Sequence, residues 1–147
     1  MQPEKDLASY LKVSRDIEPR VIMAGNATYT GQTIDRKGYE NLTHVIVVGA
    51  LTDALYTCNL YESDDSGMAG ETKVANADLI GQTQDFVITG TAGVDSNKAV
   101  KVGYKGTKRY SRLKIVQSGA TTGGYICSVC VQSGPDFAPV AGATLGS

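Results

Sequence analysis

The feature that most constrains this chain is a strict two-residue alternation over residues 110–115. Ser111, Leu113 and Ile115 fall on one side, and Tyr110, Arg112 and Lys114 on the other. One apolar face at a period of two is what a half-buried antiparallel strand requires. Upstream, residues 102–104 read as the end of another strand, and Gly103 and Gly106 flank a turn centred on residues 105–107, where glycine admits a sharp reversal. The segment therefore predicts a β-hairpin that turns Tyr104, Lys105, Lys108, Arg109, Tyr110 and Arg112 outward. Arg109 also shares the alternation of Ser111 and Leu113, so it is either a surface contact residue or a partly buried structural one.

The rest of the chain repeats the pattern in shorter pieces. Strands are expected over residues 32–35, 43–48, 55–62, 85–89, 99–104 and 125–132. Residues 43–48 are rich in β-branched side chains on both faces, which suits a strand covered on both sides. Residues 55–62 put Tyr56, Cys58 and Leu60 on one side, and residues 125–132 put Tyr125, Cys127, Val129 and Val131 on the expected core face. Between them lie polar, Gly-bearing loops, including residues 63–70 with Asp64 and Asp65; residues 74–81 read as irregular or at most one helical turn. About eight short strands with hardly any helical periodicity indicate an all-β fold, an antiparallel β-sandwich. A jelly roll is the arrangement favoured for this strand count and an open barrel is the alternative.

Residues 1–20 form an expected N-terminal arm, in which Leu7, Tyr10 and Leu11 support about two helical turns and Pro19 limits any continuation. The arm packs across the domain, reaches a neighbouring subunit, or is a disordered terminus. Val21-Ile22-Met23-Ala24 begins the sandwich, which extends over residues 21–132. Residues 133–147, with Pro135, Pro139 and small residues, form an extended C-terminal tail.

A chain of 147 residues can bury a real core, and a net charge of -1 predicts no general attraction to nucleic acid. Charge is nonetheless uneven. Lys98, Lys101, Lys105, Lys108, Arg109, Arg112 and Lys114 follow one another without an acid, whereas Glu62, Asp64, Asp65, Glu71, Asp78 and Asp85 come earlier. This reads as two solvated faces of opposite sign, or as a surface for oriented docking. The N-terminus carries no apolar signal core, so synthesis and folding in a cytoplasm are expected. No apolar run approaches a membrane span.

Catalytic and metal-binding patterns are sparse. His44, the single histidine, sits in an apolar strand and reads as a strand residue with a hydrogen bond rather than a base. Cys127 and Cys130 have half a zinc-knuckle spacing, but a strand would point them to opposite faces, so Cys58, Cys127 and Cys130 read as structural thiols. Asp53, Glu62, Asp64 and Asp65 supply oxygens in a spacing that matches no calcium loop, so no metal and no cofactor are expected. The same acids could pair for glycoside hydrolysis, but Trp, the usual sugar platform, is absent. Tyr104 and Tyr110 among cations could stack a single nucleic-acid strand, weakly for a net-acidic chain.

A set of motifs recurs in order. Thr30-Gly31, Ile34-Asp35 and Gly38-Tyr39-Glu40 come first, followed by residues 45–50, Thr52-Asp53, residues 60–66 and residues 77–81. Residues 102–110 are the densest, and residues 119–124, Pro135 and Pro139 close the series. In this order the chain resembles the head-decoration, or cement, proteins of tailed bacteriophages and related prophages, over roughly residues 29–139. The resemblance implies a non-enzymatic β-sandwich on the exterior of the virion capsid. Its partners would be the major capsid protein and itself, as a dimer or trimer, with no membrane and no specific nucleic acid. Contact surfaces are expected at Tyr104, Lys105, Lys108, Arg109, Tyr110 and Arg112, at Asp64 and Asp65, and at the two arms. A virion-associated carbohydrate-binding module and a head–tail or tail connector are the alternatives.

Overall fold

The long strands bury every second residue, and that alternation builds the whole molecule. The computed structural model describes residues 6–19, 25–138 and 140. Among them the strands are β1 (Lys12–Arg15), β2 (Thr28–Thr30), β3 (Ile34–Asp35), β4 (Tyr39–Leu51), β5 (Leu55–Ser63), β6 (Thr72–Lys73), β7 (Leu79–Ile80), β8 (Phe86–Thr89), β9 (Ala99–Tyr104), β10 (Tyr110–Ser118) and β11 (Gly124–Pro135). Three single 3-10 turns, Ala8–Tyr10, Asn76–Asp78 and Thr91–Gly93, join them.

Two antiparallel sheets pack face to face. One has the order β1-β11-β4-β9-β7; in the other, β10 and β5 lie side by side, with β2 and β3 along the free edge of β10 and β6 and β8 along that of β5. The pairings nest: β1 with β11, β2 with β10, β4 with β9, β5 with β8. A chain folded back on itself in this way and rolled into two layers is a jelly roll. Of consecutive strands only β5 and β6 pair with each other.

This topology corrects the hairpin expected at residues 102–115. β9 pairs with β4 and β7 in one sheet, and β10 pairs with β5, β2 and β3 in the other, so residues 105–109 cross between sheets. Local sequence describes two half-buried strands and a turn equally well in both arrangements. The alternation itself holds: Ser111, Leu113 and Ile115 are buried, while Tyr110, Arg112 and Lys114 are partly exposed on the outer side.

The core lies between the sheets, with Ile46, Tyr56, Cys58, Leu60, Val102, Leu113 and Ile115 at its centre. Burying each aliphatic side chain of this size contributes roughly 1.5–3 kcal/mol. On β11 the expected phase is inverted. Ile126, Ser128, Cys130 and Gln132 face inward, and Tyr125, Cys127, Val129 and Val131 face outward. Of this inward set, Ser128 Oγ accepts the Ile17 N–H, Gln132 Nε2 donates to the Asp35 carbonyl and Cys130 stands opposite His44, so hydrophobicity alone selects the opposite face.

The expected N-terminal arm contributes a strand, β1, to its own sheet, and Ile17 to the core. Residues 21–24, expected to open the sandwich, lie outside the described residues. β11 runs on to Pro135, past the expected end at Gln132. Residues 139 and 141–147 of the expected tail lie outside the described residues.

Candidate interaction surface

The basic run that looked unopposed in sequence is matched in space. Lys108 Nζ lies 2.7 Å from Asp64 Oδ2, and Asp64 Oδ1 accepts the Arg109 N–H at 3.3 Å. Arg109 grips Asp35 with two bonds, Nε to Oδ1 at 2.9 Å and Nη2 to Oδ2 at 2.8 Å, and stacks over the Tyr110 ring. Glu71 accepts from Arg112 at 2.8 Å and from Lys114, whose ammonium also lies over Tyr61. Lys98 pairs with Asp95 and Lys73 with Asp85. Two separate faces of opposite sign are therefore not formed. Opposite charges interleave, and of the cations between residues 98 and 114 only Lys101 and Lys105 lack an ion pair among the described residues.

The pairing holds these acids ionised. The hydrogen bond from Arg109 pulls Asp35 down to about 2, that from Lys108 lowers Asp64, and that from Arg112 lowers Glu71. Arg109 is half exposed, so the structure resolves its two readings in favour of a surface residue held by an ion pair.

Tyr104 is not outward. It is 3% exposed, and its Oη donates to Glu62 Oε2 at 2.5 Å and accepts the Lys108 N–H at 3.0 Å. Burial, and then the Glu62 bond, push its phenol above the ordinary range. A β-carbon at Gly106 would lie 2.5 Å from the Tyr104 ring, so this glycine is required for space as the chain crosses over the ring. Buried in this way, Tyr104 cannot stack a sugar or a base; Tyr61 and Tyr110 remain partly exposed.

The acids considered for calcium or glycoside hydrolysis do not converge. Asp53 accepts the N–H groups of Thr121, Thr122 and Gly123 at 2.8–3.0 Å, Glu62 binds Tyr104, and Asp64 binds Lys108. Asp65 holds its own loop through the N–H groups of Gly67 and Ala69. Among the described residues no three His, Cys, Asp or Glu side chains are grouped to hold a metal.

His44 is fully buried, and its Nδ1 lies 2.6 Å from Asp16 Oδ2. Ser111 Oγ and His44 Nε2 are both buried without a hydrogen-bond partner, so no nucleophile–base bond links them, and the group is sealed between the sheets. It fastens the end of β1 to β4. Cys130 stands opposite His44 in the β-ladder, and burial pushes Cys130 and Cys58 up to about 12, as inert structural thiols require.

The sequence reading did not single out the outer face of the β1-β11-β4-β9-β7 sheet. Register lines its residues up in rows across the strands. One row is Val13, Val131, Thr43, Gly103 and Ile80; the next is Arg15, Val129, Val45 and Lys101; a third is Cys127, Val47 and Ala99. Val13 is 60%, Ile80 56%, Val47 47% and Tyr125 45% exposed. An outer sheet face is ordinarily polar, and a contiguous apolar one marks an interaction surface. The signal was present in residues 43–48, whose β-branched side chains suit cover on both faces, while the described residues cover one.

No protein-family model matches the chain, and no curated protein does. Among solved structures it is similar to the SPBc2 prophage-derived protein YomS, at 14% identity over 83% of this chain and 93% of that one, with a TM-score of 0.46. It is also similar to the CBM22-1–GH10 modules of Clostridium thermocellum endo-1,4-β-D-xylanase 10B, at 10% identity and a TM-score of 0.41; the match covers 89% of this chain and 30% of the xylanase chain. Both likenesses are too distant to carry a function across.

Proposed function

We propose that the chain is a non-enzymatic structural virion protein that binds the outer surface of an assembled phage head and stabilises it. The observation behind this reading is that the motifs carrying the resemblance meet pairwise in space. Asp53 fastens the turn at residues 121–123. Glu62 and Asp64 hold Tyr104 and Lys108, and Asp35 holds Arg109. Segments far apart in sequence are thus joints of one frame, and the acids that might have served chemistry are committed to holding loops.

A braced two-layer plate suits a protein that lies on a shell under internal pressure. The partner is the major capsid protein. Copies gathered as dimers or trimers at local symmetry axes repeat one modest interface many times, which turns weak contacts into lasting attachment. The test is to incubate the purified chain with expanded, undecorated phage heads, pellet them, and heat the decorated particles. Saturable pelleting and release of DNA at a higher temperature are expected. A chain that stays in the supernatant overturns the reading.

A further inference from the structure

β1 differs from β5 and β10 in what it buries. Along residues 12–17 the alternation turns Ser14 and Asp16 toward the core, both polar, while Val13 points outward and is 60% exposed. Ile17 is the one aliphatic side chain of the stretch in the core. On β5 and β10 the inward positions include Tyr56 and Leu60, and Leu113 and Ile115, whose burial binds a strand far more firmly. Among the described residues β1 pairs with β11 alone, at the edge of its sheet, Lys12–Arg15 against Val129–Gln132.

What fastens the stretch is largely polar, and it is incomplete. Asp16 Oδ2 meets His44 Nδ1 at 2.6 Å, the Asp16 N–H donates to the Ser128 carbonyl at 3.0 Å, and the Ile17 N–H donates to Ser128 Oγ at 3.0 Å. Asp16 Oδ1 and His44 Nε2 are buried without a hydrogen-bond partner, so detachment returns to water two polar atoms that the closed state leaves unsatisfied. The Arg15–Glu18 ion pair, at 3.9 Å, joins neighbours in the chain and does not tie the stretch to the sandwich. At the outer end Lys12 lies over the Tyr39 ring, and the Ser9 carbonyl accepts the Val140 N–H at 2.8 Å.

Cys130 lies against this stretch. In the ladder it stands between Ser14 of β1 and His44 of β4. It is fully buried; burial and then the Asp16 carboxylate push its thiol up, with Lys12 acting against them. Cys58 is equally buried but belongs to β5, in the other sheet.

We propose that residues 12–17 are a releasable strap, which leaves the edge of β11 as one unit while both sheets stay folded and so opens His44 and Cys130 to solvent. The open state presents residues 129–132 as an unpaired strand edge. Local opening of this kind lies below the free energy of global unfolding.

The test follows alkylation of the native full chain by iodoacetamide over a range of low urea concentrations. Cys127→Ser silences the exposed thiol, and mass spectrometry assigns each labelled position. Relative to its rate in the unfolded chain, Cys130 is expected to react at least about tenfold faster than Cys58. Its urea dependence is expected to be weaker, since strap release exposes less surface than global unfolding. Amide exchange of residues 13–17 should share that weaker dependence. Val13 and Val131 face each other in the ladder, and an oxidised Val13→Cys/Val131→Cys cross-link is expected to slow Cys130 toward the Cys58 rate. Equal rates and equal urea dependence for the two thiols overturn the inference, because both then need global unfolding. Fast alkylation of Cys130 in the cross-linked chain also overturns it, because the thiol is then reached by another route.

Discussion

The guanidinium of Arg109 meets the carboxylate of Asp35 side-on through two bonds of 2.9 and 2.8 Å, joining residues 74 positions apart. It pins the end of β3 to the residue that leads into β10. The same bond sets a pH dependence. Asp35 falls from 3.8 to about 2, and Asp53, Asp64, Glu71, Asp85 and Asp95 are also lowered. Below their unfolded values the unfolded chain binds more protons than the native one, so stability rises with pH in that range. This contribution is complete above about pH 5 and is lost as pH falls from about 4 toward 2. Thermal unfolding followed across pH is expected to show that decline, and Asp35→Asn to flatten part of it. Carboxyl resonances should report an Asp35 midpoint near 2.

Gly106→Ala is expected to destabilise the chain by about 1–3 kcal/mol, as overpacking against a fixed neighbour does. The obstacle is the ring of Tyr104, 2.5 Å from the added carbon and held by Glu62. Urea unfolding measures the loss, and the double variant Gly106→Ala/Tyr104→Leu should recover part of it.

Asp16→Ala removes one partner of the buried pair and leaves His44 sealed without the other. A loss of about 3 kcal/mol is expected, with amide exchange accelerated first along β1, whose end Asp16 fastens to β4. Exchange measured by mass spectrometry checks the location, and chemical denaturation checks the magnitude.

Thiol chemistry separates the three cysteines. Cys58 and Cys130 are buried and their thiols are pushed up to about 12, while Cys127 lies partly exposed on the outer face of its sheet. One thiol per native chain is expected to react at neutral pH, and all three after unfolding. Rapid reaction of two or more in the native state would contradict the assigned phase of β11.

What could be read from sequence depended on whether the signal was local. On β5 the alternation of Tyr56, Cys58 and Leu60 is strong and lies opposite polar neighbours, and all three are buried as expected. On β11 both faces are apolar enough to serve, and Ser128 and Gln132 turn inward to distant backbone partners, the Ile17 N–H and the Asp35 carbonyl, with Cys130 opposite the buried His44. The β9–β10 connection reads as a tight hairpin because nothing local distinguishes reversal within a sheet from passage between sheets. Charge asymmetry misleads for the same reason, since Lys108 finds Asp64 across 44 residues and Arg112 finds Glu71 across 41. The outer face of that sheet was half legible: residues 43–48 announce a strand with apolar sides, and only the topology reveals which side the other described residues leave uncovered.

The most direct measurement is the number of chains bound per capsid protein when expanded, undecorated heads are saturated and pelleted. A fixed ratio in simple proportion to the shell's symmetry, reached at saturation and retained through washing, is the result expected of a decoration protein. Absence of binding, or a few copies per head as a connector would give, would contradict it.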